Sequence, residues 1–444
     1  MHFLASEVAA AVGGRVVGAD VTIDGATIDS REVRPGQLFV PIVAARDGHD
    51  FIDAAVAAGA VAYLTSKPIP DEADRPAPNA TAIVVADTAE ALADLGRAAR
   101  RRLPDRVVGV TGSVGKTSTK DLLAGLLATT FPTAASEKSF NNELGLPLTL
   151  VNAPDDTEAV VVEMGARGVG HIALLCSIAR PTVGIVTRVE GVHLELFGDL
   201  DAVTRAKGEL VEALPADGTA VLNADHERVA GMADRTSAPV LTYGLTPAAD
   251  VSATDVTVDD QLRASFRLHT PWGSTGVALG ARGEHQVSNA LAAAAAAGAM
   301  GVPVESMPAG LLGAALSGLR MELATTAGGV VVLNDAYNAN PTSMAAALRS
   351  LAALDARRRV AVLGTMAEIG DDAAREHEAI VTLAGELGID VIAVDEPAYG
   401  DGARHVADVD GAVAALADLA AGDAVLVKGS RVAALERVAD ALHG

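Results

Sequence analysis

The chain has 444 residues, room for about two to four domains, and half of them are hydrophobic. Only 3% are aromatic, so the cores must come from Val, Leu and Ile packed closely over Ala and Gly. With 34 basic and 57 acidic residues the formal charge is −23, which disfavours nucleic acid and anionic membranes, and the single cysteine, Cys176, excludes an intrachain disulfide framework.

A phosphate ligand would therefore need a local site made of backbone amides, a metal ion or a few placed cations. The opening residues, Met1 to Glu7, lack a basic region followed by an apolar run. The most apolar stretch, 290–304, is mainly Ala and is broken by Gly298, Gly301 and Pro303. A soluble, cytoplasmic protein is expected.

In chain order, three α/β blocks are expected. Residues 1–104 alternate short strand-like runs (21–23, 37–41, 60–64 and 82–85) with Ala-rich helices. The stretch 66–81 carries four prolines and reads as an exposed loop. The basic tail 97–102 reads as a solvated, dipole-compatible helix end. Residues 105–317 open on a buried-strand signal at 106–111 and repeat apolar runs at 159–162, 183–186 and 220–222, with helical patterns between them. That rhythm argues for a mainly parallel P-loop-type sheet with crossover helices. Within it, 251–258 and 262–269 flank Asp259-Asp260 and read as a hairpin on an antiparallel edge. Residues 318–444 alternate strand-like runs at 330–333, 360–363, 391–394 and 424–427 with helices, as in a small Rossmann-like, doubly wound domain.

Thr111-Gly112-Ser113-Val114-Gly115-Lys116-Thr117-Ser118 follows the first strand of the second block and precedes the helical pattern Leu122, Leu123, Leu126, Leu127. Glycines let backbone amides approach phosphate oxygens, the helix dipole favours the anion, and Lys116 adds charge. Thr117 is placed to ligate Mg²⁺ through its hydroxyl. The G-x4-G-K-[ST] spacing is not met, because position 110 is Val; the shorter T-G-x-x-G-K-T stands instead. Alone, this motif leaves kinase, GTPase, ATPase and ligase open.

Further elements stand in order behind it: Ser139-Phe140-Asn141-Asn142-Glu143-Leu144-Gly145, Glu163-Met164-Gly165, His193-Leu194-Glu195, Ala206-Lys207-Gly208-Glu209, Asn223-Ala224-Asp225 and His285-Gln286-Val287-Ser288-Asn289. With the short phosphate loop, this set resembles the central domain of the Mur ligases. Asp335-Ala336-Tyr337-Asn338-Ala339-Asn340-Pro341 and Val427-Lys428-Gly429-Ser430-Arg431 extend the resemblance into the third block. Asp29-Ser30-Arg31, Pro35-Gly36 and Leu38-Phe39-Val40 extend it into the first. Asn338 to Pro341, Leu363 to Gly370 and Lys428 to Arg431 resemble the branch of the family that adds D-alanyl-D-alanine. The His-Pro pair and D-N-P-R signature of the diamino-acid-adding branch are not in this sequence.

The resemblance implies an ATP-dependent acid–amino-acid ligase of peptidoglycan synthesis. ATP phosphorylates the carboxylate of UDP-N-acetylmuramoyl-tripeptide, the amine of D-alanyl-D-alanine attacks the acyl phosphate, and phosphate leaves. It implies a UDP-sugar domain (1–104), an ATP domain (105–317) and a closing ligase domain (318–444), acting as a monomer. It further implies that Gly112, Ser113, Gly115, Lys116, Thr117 and Ser118 hold the nucleotide phosphates, with Asn289 at the adenine end, Arg320 on the phosphates and Asp335 on the ribose. Two Mg²⁺ ions would be held by Thr117, Glu163, His193 and Lys207, the lysine carbamylated by CO₂. Lys116, His193 and Lys207 are the implied catalytic groups. Ser30, Arg31, Asn142, Asn338, Lys428, Ser430 and Arg431 are the implied substrate contacts, with Gly48-His49-Asp50 near the first two.

Several of these residues also have a plainer reading. Glu163 could be a solvated strand end, His193 a packed histidine, and Lys207 an exposed helix lysine beside Glu209. Arg320 and Asp335 could form an interdomain salt bridge, Ser30 and Arg31 a capped turn with a surface arginine, and Lys428 to Arg431 a bare helix start. Thr187-Arg188-Val189-Glu190-Gly191 adds an arginine beside the implied metal site. Two rival functions stay open: a sister Mur-type or folate-polyglutamate-type ligase with another amine acceptor, and a scaffold that binds precursor without turnover. A P-loop kinase or GTPase leaves the first and third blocks unexplained.

Overall fold

The computed structural model of the chain describes residues 1–69, 76–137, 140–191, 197–367 and 369–443, the side chain of Asp371 excepted. His193, together with Ser139, Leu194 and Glu195 of the motifs above, lies outside the described residues.

The Val-rich segment Val107–Thr111 (β1) is buried at every position, which calls for a parallel sheet covered by helices on both faces. It lies inside a nine-stranded sheet with Thr133–Ala135 (β2), Ala159–Glu163 (β3), Val183–Val186 (β4), Thr219–Asn223 (β5), Val240–Gly244 (β6), Val251–Val258 (β7), Arg263–Thr270 (β8) and Gly273–Arg282 (β9). The spatial order is β9-β8-β7-β6-β5-β4-β1-β3-β2. All pairs from β2 to β7 are parallel, and β7, β8 and β9 pair antiparallel. After β3 the chain returns to the far side of β1 as β4, so the carboxyl end of β1 sits at the reversal where α/β sheets form ligand crevices. Helix Lys116–Leu127 covers one face together with helix Gln286–Ala299. The second of these is apolar on all sides, and Ala290 to Ala297 are wholly buried with almost no side-chain bulk to separate the two helices.

The first block carries a five-stranded sheet drawn from Arg15–Val17, Ala26–Thr27, Leu38–Phe39, Ala62–Thr65 and Thr81–Val84, and a two-stranded pair, His2–Leu4 with Thr22–Asp24. The third carries six strands in the spatial order Glu322–Thr325, Val331–Asn334, Ala424–Lys428, Arg359–Leu363, Asp390–Val394, Arg404–Val406; only the first pair is antiparallel. No described helix is long and apolar enough to cross a membrane.

Two sequence expectations fail. The stretch 66–81 is not simply an exposed loop, because Ile69, Ala77 and Ala80 at its described ends are buried against Tyr63 and Phe39. The basic tail is not wholly solvated either. Arg100, the end of helix Thr88–Arg100, is buried and donates to four carbonyls: Ala179 (2.7 Å), Leu103 (3.2 Å), Pro104 (3.1 Å) and Arg180 (3.3 Å). A planar fork of five N–H donors suits that task; an ammonium does not. Arg100→Ala is therefore expected to lower stability by about 1–3 kcal/mol, and Arg100→Lys should recover little of it. Urea midpoints for the three proteins check this; a lysine variant equal to wild type would refute the fork argument.

Candidate active site

Between β1 and helix Lys116–Leu127 the chain turns at Gly112 (φ 142°) and Gly115 (φ 87°), both in backbone space unfavourable to L side chains. Thr187 stands against the first and Asn289 against the second, so a side chain at either would also collide. The segment leaving β4 grips the loop. Ser113 N donates to Arg188 O (2.7 Å), Ser113 Oγ to Glu190 O (3.0 Å), and Glu190 N to Ser113 Oγ (2.9 Å). Thr187 Oγ1 donates to Val114 O (2.6 Å). The Arg188 side chain reaches Glu190 (3.5 Å). Gly115 caps the helix without a side chain, which leaves the amides over Lys116, Thr117 and buried Ser118 and the positive dipole end as an anion cradle.

Glu163 ends β3 beside Val110 and is 1% exposed. Its Oε2 accepts from Thr117 Oγ1 (2.8 Å) and its Oε1 from Asn141 Nδ2 (2.9 Å). Thr117 Oγ1 in turn accepts from Arg320 Nη2 (3.0 Å), so one hydroxyl joins the phosphate helix, the sheet carboxylate and the third block. The Arg320 guanidinium lies 4.2 Å from the Tyr337 ring centre, and its buried Nε has no hydrogen-bond partner among the described residues. Lys116 Nζ folds back to Gly112 O (2.7 Å) and Ser113 O (3.3 Å). Loss of water lowers its pKa, Glu163 opposes that, and Arg320 adds to it.

Lys207 lies on helix Leu200–Glu212 and is 3% exposed, which overturns the exposed-lysine reading. Burial first, then the charge of Lys116, bring its pKa down to about 7 against the pull of Glu163 and Glu209. Glu209 is occupied elsewhere, accepting from Gly170 N and from Ala173 N (2.9 Å) and so capping helix His171–Ala179. Among the described residues no three His, Cys, Asp or Glu converge as a ready metal cage. The hard donors at hand are the Thr117 hydroxyl and the Glu163 carboxylate, and buried Lys207 would join them once carbamylated.

The other implied residues divide. Asn289 packs on the phosphate loop, holding Gln286 Oε1 (2.8 Å) and Thr119 Oγ1 (3.4 Å). Asp335 does not pair with Arg320. It accepts from Met321 N (3.2 Å) and from buried Lys428, whose Nζ also donates to Asn338 O (2.9 Å). Ser430 Oγ donates to Ala339 O (3.3 Å) and accepts from Ala367 N (2.9 Å). Arg431 pairs with Glu436 (2.6 Å), and Asn338 is exposed. Asn142 caps helix Gly145–Val151 through Leu144 N (3.2 Å) and Gly145 N (2.8 Å), so the neighbour that reaches Glu163 is Asn141, which the sequence reading passed over. In the first block Arg31 is 86% exposed and takes the capped-turn arrangement, its Nε and Nη2 both on Asp29 (2.9 and 2.6 Å), with partly buried Ser30 between them in sequence. His49 is buried, bound to Asp47 (2.6 Å) and accepting from Ser66 N (3.1 Å).

A further contact was missed. Lys120 and Asp121 pair inside the phosphate helix (2.6 Å), Lys120 donates to Ser136 O (2.7 Å), and Asp121 accepts from Ser317 N (2.8 Å), three residues before Arg320. The pair sits in the polar first turns of the helix, before Leu122, and carries no functional signal in the sequence.

Family models cover most of the chain: the Mur ligase family catalytic domain at residues 22–100, the Mur ligase middle domain at 110–297, and the Mur ligase glutamate ligase domain at 319–431. The chain belongs to the Mur ligase family. A curated Mur ligase of Mycobacterium tuberculosis, named UDP-N-acetylmuramoyl-tripeptide–D-alanyl-D-alanine ligase, is 41% identical over 98% of this chain and 97% of its own length. A crystal structure of MurF from Acinetobacter baumannii matches with TM-score 0.89 at 30% identity, over 100% of this chain and 99% of its own. MurF from Thermotoga maritima in complex with ADP matches with TM-score 0.81 at 28% identity, over 94% and 97%.

The Lys207 environment sets a pH signature for this Mur ligase. Between about pH 7 and the ordinary lysine value of 10.5, the unfolded chain holds one proton more at this residue than the folded chain. The penalty of a buried cation is therefore complete below about 7 and fades as pH rises. In metal-free, bicarbonate-free buffer, wild-type stability should gain on that of Lys207→Met by up to ~1.4 kcal/mol per pH unit from pH ~7.5 to ~9. Parallel urea-unfolding profiles for the two proteins would refute a buried, depressed lysine.

Proposed function

We propose that this chain joins D-alanyl-D-alanine to UDP-N-acetylmuramoyl-tripeptide at the expense of ATP, through an acyl phosphate, giving the UDP-linked pentapeptide of peptidoglycan synthesis. The observation that carries the reading is the meeting of the phosphate loop, Glu163 and third-block Arg320 at Thr117, in a chain that matches ligases of that name end to end. A simple nucleotide hydrolase has no need of a distant block reaching its phosphate loop.

On this reading residues 1–104 take the UDP-sugar through Ser30 and Arg31, 105–317 take ATP, and 318–444 bring the dipeptide through Asn338, Lys428, Ser430 and Arg431, with Asn142 on the tripeptide side. The amides of Gly112, Ser113 and Gly115 and the first helical turn bind phosphate oxygens. Lys116 exchanges two neutral carbonyls for a phosphate oxygen, a stronger, charge-assisted hydrogen bond. Arg320 spreads its donors along the phosphates, Asp335 accepts from the ribose, and Asn289 lies toward the adenine.

The donor set fits Mg²⁺, with Thr117 and Glu163 on one ion and His193 and carbamylated Lys207 on a second. When bound, the ions neutralise the charge that develops on the transferring phosphoryl group. A lysine amine that is neutral near pH 7 can attack CO₂ by its nitrogen lone pair. It then forms an N–C bond and releases one proton, and a potential cation becomes an acidic ligand. We read the protein as a cytoplasmic monomer, acting where the soluble precursor and ATP are.

Purified protein with ATP, Mg²⁺, bicarbonate and UDP-N-acetylmuramoyl-tripeptide should release phosphate only when D-alanyl-D-alanine is present, and the product mass should gain one dipeptide. Turnover with a single amino acid instead would reassign it to a sister ligase, and nucleotide binding without turnover would leave a scaffold. Lys207→Arg, which keeps the charge but does not carbamylate, should lose activity on the order of 100-fold or more. Depleting bicarbonate should depress wild type and leave this variant's residual rate unchanged.

A further inference from the structure

Three neighbouring parallel strands of the third sheet, Val331–Asn334, Ala424–Lys428 and Arg359–Leu363, send their carboxyl-terminal loops to one edge. Ser430 knits the three together. Its Oγ bonds Ala339 O and Ala367 N, and its backbone N donates to Thr365 O (2.9 Å). Gly364 N donates to Lys428 O (3.0 Å). The loop 364–367 is therefore fixed on its crevice side by residues already assigned to the site.

Its inner side is fixed by two residues with no assigned part. His377, on helix Ala373–Glu386, is 1% exposed, and its Nε2 accepts from Met366 N (2.9 Å). That acceptor role leaves the ring proton on Nδ1, which donates to Ala373 O (2.7 Å). Tyr399 packs edge-on against the imidazole, with ring centres 4.8 Å apart, and donates its hydroxyl to Gly364 O (2.9 Å). Glu396 Oε2 stands 3.6 Å from His377 Nε2, beyond hydrogen-bond reach, while its Oε1 caps Ala398 N (3.1 Å). A buried histidine satisfied at both nitrogens by main chain is a device for shaping a loop.

We propose that His377, backed by Tyr399, is a positioning residue that sets the loop 364–367 for the incoming D-alanyl-D-alanine. This rests on the ligase reading above. His377 touches neither nucleotide nor dipeptide; it acts through the Met366 amide. Without it that amide is left unpaired in the interior, and the loop loses the shape that the dipeptide meets.

In the full-length enzyme, His377→Ala should raise KM for D-alanyl-D-alanine about tenfold, with kcat and the KM values for ATP and tripeptide within about twofold of wild type. His377→Gln, whose Oε1 can accept from Met366 N, should recover most of the loss. Tyr399→Phe should raise the same KM by a smaller factor. Amide exchange at Met366 should quicken in the alanine variant and return toward wild type in the glutamine variant. If the alanine variant does not fold, the glutamine and phenylalanine variants still decide: an unchanged dipeptide KM in Tyr399→Phe with all other constants preserved overturns the inference. So does a His377→Ala protein whose ATP and dipeptide constants shift together, or a Gln variant no better than Ala. Wild-type protein inactive with the dipeptide overturns the ligase reading and this inference with it.

Discussion

The site turns on one buried carboxylate. Glu163 loses nearly all its water, and a charge so placed persists only if hydrogen bonds and countercharges replace that solvation. Thr117 and Asn141 supply the hydrogen bonds, and Lys116 and Arg320 supply positive potential around it. More cationic side chains than anionic ones thus gather at one point of a chain whose formal charge is −23. That local inversion of sign makes a polyphosphate welcome on an otherwise repelling surface, and it draws on residues from three separate stretches of sequence.

Such a gathering needs rigid suppliers. β1 and β3 are neighbours in register, so Glu163 and the phosphate loop emerge side by side at the same edge of the sheet. The small side chains of Ala290 to Ala297 let helix Gln286–Ala299 lie close to helix Lys116–Leu127, and Asn289 follows onto Gly115. The third block is tied in as well. Asp121 accepts from Ser317 N, Arg320 then reaches Thr117, and Leu262 of the second block is buried in the third block's core, so these points together help set where the six-stranded unit meets the nucleotide cradle.

The three-block α/β organisation was legible because buried parallel strands are continuous apolar runs, and β1, β3, β4 and β5 all carry that mark. Strands that pair on an edge lack it. Thr133–Ala135, Gly273–Arg282 and Arg404–Val406 are short, Gly-containing or polar, and pattern alone did not reveal them. In the site, glycine spacing exposed the phosphate loop and a strand-terminal carboxylate exposed Glu163. Asn141 was passed over for Asn142 because two adjacent amides are indistinguishable until the turn is drawn, and the turn makes one a cap and aims the other at Glu163. Lys120, Asp121, His377 and Tyr399 left no functional signature in sequence, because each acts on main chain that only the fold brings near. Arg100 looked like part of a solvated basic run for the same reason; its four acceptors belong to segments that follow the helix or come from the next block.

Lys207 shows how burial alone can prepare a chemical step. In water its amine would be almost wholly protonated near neutrality and inert toward CO₂. Desolvation on helix Leu200–Glu212, helped by the like charge of Lys116, brings the neutral form into the physiological range. Glu209, two residues on, would restore the cation if it turned inward, but both its oxygens are committed to the amino end of helix His171–Ala179. That cap therefore has a consequence beyond the helix it stabilises: by committing the carboxylate to main-chain amides, it keeps Glu209 from pairing directly with the lysine and leaves the amine its depressed pKa. On the ligase reading the sign of the site then changes at one side chain, from a cation that competes with metal to an anion that binds it.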